Sequence, residues 1–344
     1  MKKITFILLL ASCIITSFQS EYTSLFYKPT YFPNPTYNFS KNPLSDEKVL
    51  LGRALFYDNT LSKNNTISCA SCHSNYNAFS HTDHALSHGI YDSIGKRNAP
   101  PLINLAWQPI FMWDGAINHL DMQALAPIHN TIEMDERIEH VVNKLQASTL
   151  YPKLYYNAYG DSMITGENTL KAISAFMLTL VSVQSKYDSM RLGKINYNHQ
   201  EKNGYLLFQK NCSKCHTEPL FTNYTFENNG LKQDPNILDI GRMFITKNRN
   251  DSLKFKVPTL RNIEFTYPYM HDGRFKNLNE VLNQYINGVV KSPTLSIHLQ
   301  NPIQLTSNEK VDLMAFLLTL SDRKFIFNPK HAYPRDIFLP ERRN

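Results

Sequence analysis

Apolar positions recur along this chain at helical rather than alternating spacing. Leu170, Ile173, Met177 and Leu180 fall on one face of a helix, and Leu313, Phe316, Leu317 and Leu320 repeat the pattern near the other end. The second segment opens on Thr306-x-x-Glu309, the signature of a helix N-terminus closed by reciprocal side-chain bonds. Strand-like alternation is scarce, so the pattern predicts a mainly α fold. The apolar residues of both segments read as ordinary core.

The two helical segments belong to a longer correspondence. Gly52-x-x-Leu55-Phe56 is matched by Gly204-x-x-Leu207-Phe208, and Pro100-x-Leu102-x-Asn104 by Pro258-x-Leu260-x-Asn262. Ten residues past each Asn stands Asp-Gly, in Met112-Trp113-Asp114-Gly115 and in Met270-His271-Asp272-Gly273. Each half closes on nearly the same string, Ala175-Phe176-Met177-Leu178-Thr179-Leu180 and Ala315-Phe316-Leu317-Leu318-Thr319-Leu320. This many matches in one order predict an internal duplication, with the boundary in the polar stretch Lys194–Asn203. The expected domains are residues 44–195 and 196–330, each a predominantly helical unit. They are flanked by a Pro-rich extended arm or tether at 21–43 and a basic tail at 331–344.

The N-terminus differs from the rest. Met1-Lys2-Lys3 is followed by uncharged residues to Ser20, with a strongly apolar core at Ile4–Leu10, which reads as an export signal at 1–20. A membrane anchor needs about 20 apolar residues, and Thr16, Ser17, Gln19 and Ser20 end the run early. Leu10-Ala11-Ser12-Cys13 resembles a bacterial lipoprotein signal, with a lipid anchor at Cys13. Simple cleavage near Ser20 is the alternative. Either way the mature chain is expected in the periplasm. The 344 residues, 42% hydrophobic and 19% charged, suit a globular protein of about two domains and exclude a disordered chain. A net charge of +7 gathers partly at the ends and forms no basic face, so a nucleic-acid partner is not expected.

Cysteine usage brings in chemistry. Apart from Cys13, the cysteines fall in Cys69-Ala70-Ser71-Cys72-His73 and Cys212-Ser213-Lys214-Cys215-His216. C-x-x-C-H is the spacing of c-type haem attachment: two thiols form thioethers to the porphyrin and the adjacent His ligates iron. Zinc would want further Cys or His ligands, and a thioredoxin-like site would want a βαβ setting. The expected cofactors are therefore two covalent haem c groups, with His73 and His216 on the irons.

With the duplication in place, residues 44–325 resemble the bacterial dihaem cytochrome c peroxidases and their methylamine-utilisation relatives. The strings that carry the resemblance include Leu51-Gly52-Arg53-Ala54-Leu55-Phe56, Arg97-Asn98-Ala99-Pro100, Trp113-Asp114-Gly115, Phe255-Lys256-Val257-Pro258-Thr259-Leu260-Arg261-Asn262 and Pro268-Tyr269-Met270-His271-Asp272-Gly273. The resemblance implies two cytochrome c-like domains, a peroxidatic N-terminal haem, an electron-relaying C-terminal haem and one calcium ion between them. Trp113 matches the Trp between the haems, Glu133 the acid/base carboxylate of the peroxidatic pocket, and Gln123 a polar residue of that pocket. Asn98, Thr266 and Pro268 match the calcium ligands. From the residues alone, Trp113 also reads as a core Trp, Glu133 as a solvated charge and the calcium residues as a turn.

Two departures from the family pattern stand out. The distal His usually found in a Ser-x-Gly-His string is replaced in Ser87-His88-Gly89-Ile90, with His81, His84 and His88 as neighbouring substitutes. Ala116 follows Trp113-Asp114-Gly115 where the family usually has Arg. Tyr285, thirteen residues past Asp272, is the expected second ligand of the C-terminal haem; the peroxidases place Met at this offset and the methylamine-utilisation relatives Tyr. Thirteen past Asp114 stands Pro127, which has no lone pair for iron. The expectation is thus a peroxidase reducing hydrogen peroxide with electrons from a small redox protein, a cytochrome c or cupredoxin. A homodimer is the expected assembly. The alternatives are a methylamine-utilisation-type oxidase acting on a protein side chain and a non-enzymatic electron-transfer cytochrome.

Overall fold

A computed structural model describes residues 25–81 and 84–339. The export signal, Cys13 and the last basic residues, Arg342 and Arg343, lie outside the described residues. No helix among the described residues is long and apolar enough to cross a membrane.

The chain is mainly helical, as the periodicity predicts. The first half carries α1 (Asp46–Tyr57), α2 (Cys69–Cys72), α3 (Leu120–Gln123), α4 (Leu125–His129), α5 (Ile138–Gln146), α6 (Tyr151–Tyr159) and α7 (Gly166–Leu178). After α8 (Lys186–Arg191) come α9 (His199–Asn211), α10 (Met243–Thr246), α11 (Leu278–Asn283) and α12 (Ser307–Leu318). Short α13 (Arg323–Ile326) and α14 (Arg335–Phe338) follow. Among the described residues strands are confined to β1 (Phe226–Glu227) and β2 (Phe255–Lys256), paired antiparallel with Phe226 opposite Lys256. The long helices start where side chains replace missing backbone partners: Thr165 accepts from the Asn168 N–H, and reciprocal boxes join Asn198 to Glu201 and Thr306 to Glu309.

One packing solution recurs. A Cβ on Gly52 of α1 would lie 1.8 Å from the Ala172 carbonyl oxygen of α7, and one on Gly204 of α9 would lie 1.9 Å from that of Asp312 in α12. Bare backbone at each crossing lets two helices touch, with Phe176 or Phe316 packed beside the contact. Asn104 and Asn262 both adopt left-handed backbone. Their N–H groups donate to Leu180 O (2.9 Å) and Leu320 O (3.0 Å), and their side-chain oxygens accept from the N–H groups of Ser182 and Asp322. Gly204→Ala should therefore force α9 from α12 and destabilise the protein by about 3 kcal/mol. Urea unfolding of the holoprotein measures this; a loss below about 0.5 kcal/mol would contradict the packing.

The flanks and the boundary stretch are packed against the rest of the chain. The 21–43 arm, from residue 25 on, is not a loose tether. Its prolines keep it out of a helix, but Phe32 is buried in the first core, and the Trp107 indole donates to Pro33 O at 2.8 Å. Tyr31 and Tyr37 reach Asp188 and Asp121 at 2.7 and 2.8 Å. The described part of the tail also docks: Tyr57 donates to His331 O at 2.6 Å and Arg53 to Ala332 O at 2.8 Å. Phe325 and Ile326, just ahead of the tail, join the first core. Conversely Tyr187, ahead of the expected boundary, packs in the second core with Phe208, Phe221 and Phe316. Half of the polar stretch 194–203 is the first turn of α9, whose polarity reflects exposure rather than a linker.

Candidate haem sites

Each C-x-x-C-H motif places a histidine against a backbone carbonyl. In the first, Cys69 and Cys72 delimit α2, and the His73 Nδ1–H donates to Phe79 O at 2.6 Å. In the second, the motif is a tight turn at the end of α9, and the His216 Nδ1–H is shared by Phe221 O and Pro258 O, both at 3.1 Å. Phe79 and Phe221 are left-handed, which turns their carbonyls back to the rings. Bonding Nδ1 this way fixes the tautomer that leaves the Nε2 lone pair for a metal. Burial lowers both imidazoles to about 4, so each is neutral at pH 7. All four thiols are free. Burial pushes Cys69 and Cys212 up to about 12 and Cys72 and Cys215 up to about 11. Paired neutral thiols beside a neutral, oriented imidazole fit a covalently held porphyrin and its iron. Among the described residues no cluster of three or more His, Cys, Asp or Glu is arranged for a bare metal ion.

Around the second motif lies a large, mostly apolar cleft bordered by Cys212, Cys215, His216, Leu282 and Tyr285. Tyr285 sits in a π-helical stretch, Gln284–Gly288, which continues α11. Such bulges re-aim side chains and are frequent at functional sites. Burial pushes its phenol up to about 12, and a hydrogen bond from Asn229 works against that rise. Met270, whose thioether is a second side chain able to ligate iron, borders the same cleft and accepts from Asn229 Nδ2 at 3.5 Å. Asn229 therefore sits between the two candidate ligands. It escaped the sequence reading because an Asn in a loop carries no periodic or spacing signal.

Trp113 belongs to the first half yet borders this cleft. Its indole donates to Asn98 O at 2.8 Å, and its carbonyl accepts the Lys256 N–H at 2.7 Å. Asn98, Thr266 and Pro268 also border the cleft, with Asn98 tied to both halves through His271 O (2.7 Å) and Ala85 O (2.9 Å).

On the first motif's side, Glu133 is half-buried, and its charge acts on the Cys72 thiol. Burial raises its pKa, partly offset by Asn130, which donates to Oε1 at 2.7 Å. Its carbonyl accepts the Ile90 N–H at 2.8 Å, so the loop at the altered Ser-x-Gly-His position packs directly on the Glu133 turn. Ile90 is buried, and Pro127 lies within α4. Neither offers a lone pair. Gln123 donates to Met112 Sδ at 3.7 Å, next to Trp113. Of the neighbouring histidines, His81 is buried, His84 is exposed, and His88 pairs with Asp92 at 2.7 Å.

The Ala116 departure has a structural answer. In the second half Arg274, next after Gly273, bonds Asp272 directly. In the first half Arg97 takes that place, pairing with Asp114 at 2.6 Å while its other nitrogens hold Asp239. The cation that Ala116 cannot supply comes from the Arg97-Asn98 string.

Residues 46–196 match the family described as di-haem cytochrome c peroxidase. The methylamine utilization protein MauG of Methylorubrum extorquens is 36% identical over 328 residues, covering 92% of this chain and 86% of that protein. The chain belongs to the di-haem cytochrome c peroxidase family. Another relative, the cytochrome c peroxidase Ccp of Escherichia coli, is 35% identical over 289 residues, covering 82% of this chain and 59% of that protein. A crystal structure of a MauG-like protein associated with microbial copper homeostasis matches with TM-score 0.81 at 32% identity, covering 89% of this chain and 98% of that one. Membership of the di-haem cytochrome c peroxidase family makes the chain an oxidoreductase with two haem c groups. The relatives include proteins named as peroxidases and proteins named MauG, so membership alone does not choose between them.

Proposed function

We propose that this chain is an exported dihaem peroxidase that reduces hydrogen peroxide to water with electrons from a small redox protein such as a cytochrome c or cupredoxin. We read it as two copies of one haem unit, residues 44–195 and 196–330, supported by the recurring glycine crossings, left-handed asparagines and carbonyl-bound histidines. The observation that carries the function is Glu133, half-buried with its charge acting on Cys72, on a turn against which the buried Ile90, a side chain that offers no ligand, is bonded.

A haem held by Cys69, Cys72 and His73 would supply iron for peroxide and redox equivalents for cleaving its O–O bond. Glu133 does the proton work. Asn130 holds Oε1, leaving the other oxygen to take a proton from one peroxide oxygen and give it to the other, which then leaves as water. Two further protons and two electrons complete the reduction to a second water. His73 presents Nε2 because Phe79 holds Nδ1. Gln123 contributes an amide to the same pocket, and Trp113 offers an aromatic bridge toward the second cleft. Asn98, Thr266 and Pro268 are proposed to hold one calcium through neutral oxygens, at the seam where Asn98 joins the halves.

Steady-state turnover of peroxide with a reduced cytochrome or cupredoxin tests the proposal. Saturable turnover is expected, and a dihaem-loaded protein without turnover would be an electron-transfer cytochrome instead. One observation favours the methylamine-utilisation type of oxidase: Tyr285, rather than a Met, occupies the second cleft. A phenolate ligand should lower the reduction potential relative to Met. Tyr285→Phe is expected to lose the low-spin signature of that haem in electron paramagnetic resonance, and an unchanged spectrum would exclude ligation by Tyr285.

A further inference from the structure

Lys256 has no role in the chemistry above, yet its placement is unusual. It is only 8% exposed and borders the second cleft with His216 and Tyr285. Its backbone is pinned, because β2 pairs with β1 and the Lys256 N–H donates to Trp113 O at 2.7 Å. No residue among those described pairs with its ammonium, and burial alone acts on its charge. Burial brings it down to about 8, so it remains largely charged at pH 7. Glu227, the carboxylate that borders the same cleft, acts on Cys215 instead. A buried ammonium is retained at such a position when an anion meets it. The described residues supply none here.

We propose that Lys256 is the cationic anchor for the carboxylate edge of the haem held by His216. The assignment rests on the dihaem reading and adds a binding residue to it. Because Trp113 holds the Lys256 backbone, cation and indole share one wall of the cleft. Pairing there orients the second haem toward the aromatic bridge from the first half.

Spectroelectrochemistry of the dihaem protein tests this. A cation beside a haem favours the electron-rich reduced state. Lys256→Met should therefore shift the second haem's reduction equilibrium about tenfold toward the oxidised form, roughly 59 mV for one electron. Lys256→Arg should restore most of the shift, and the first haem should move little. Lys256→Gln serves the same purpose if the Met variant does not accumulate. An unchanged potential in a charge-removed variant that retains both haems would overturn the proposal. So would a wild-type potential that follows inorganic phosphate concentration, since a free anion would then be the partner. Wild-type protein lacking haem at Cys212 and Cys215 would instead defeat the dihaem reading itself, which mass spectrometry registers separately.

Discussion

Glu133→Gln should leave both haems attached while cutting peroxide turnover by about 100-fold or more, the usual scale for losing a general acid/base. The substitution is nearly isosteric, and the Asn130 contact to Oε1 survives it, because a carboxamide oxygen still accepts from Nδ2. The turn that carries Glu133 is held by backbone, through its bonds to Asn130 O and from Ile90, so the pocket should keep its shape. What is lost is an oxygen that can accept and release a proton. Burial raises the Glu133 pKa, so the wild-type carboxyl holds its proton to higher pH than an exposed Glu, and the limb of the pH profile that it governs should move upward accordingly. Turnover at the wild-type level in Glu133→Gln, with two haems present by mass, would remove Glu133 from the mechanism.

The second large effect concerns stability. Arg261→Leu is expected to destabilise the protein by about 3–5 kcal/mol, the cost of breaking a buried ion pair from one side. Arg261 is fully buried and bonds Asp188 through both terminal nitrogens, at 3.0 and 2.9 Å, and also donates to Pro219 O and Ser182 O. Tyr31 of the arm donates to the same carboxylate, so one ion pair ties together the arm, α8 and the second half. Burial alone would raise the Asp188 pKa, but the Arg261 charge and its hydrogen bonds hold it below the usual carboxylate value. The stability from that depressed pKa is present above the unfolded value of about 3.9 and is lost as pH falls through the folded one. In the variant Asp188 is buried without its cation and gains by protonation. The gap between variant and wild type should therefore narrow as pH falls from 7 toward 4 in urea unfolding. A constant gap would mean that lost packing, not the uncompensated carboxylate, sets the cost.

Local signals made much of this protein legible. Helix spacing placed α7 and α12, the Thr306 box marked the start of α12, and the two C-x-x-C-H strings marked where the carbonyl-bound histidines stand. These features depend on residues within a turn or two of one another. The features that went unread depend on distant partners. Nothing near Phe32 or Pro33 shows that Trp107 will cover them, and nothing in the tail shows that Tyr57 will capture His331. The exchange of a neighbouring Arg for Arg97 at Asp114 likewise exists only once the loops meet. The same holds for Asn229 and Lys256, whose surroundings at the second cleft come from three separate segments of chain. Polarity alone does not show that half of 194–203 is the first turn of α9, because an exposed first helical turn and a linker have similar composition.

Electron paramagnetic resonance of the oxidised dihaem protein, recorded again after one-electron reduction, tests most directly the claim that the His73 haem is open to peroxide while the His216 haem is closed by Tyr285. The account predicts one high-spin haem with an open coordination position and one low-spin haem in the oxidised protein. Peroxide should perturb the high-spin signal first. Two low-spin, six-coordinate haems in both the oxidised and the half-reduced protein would contradict it.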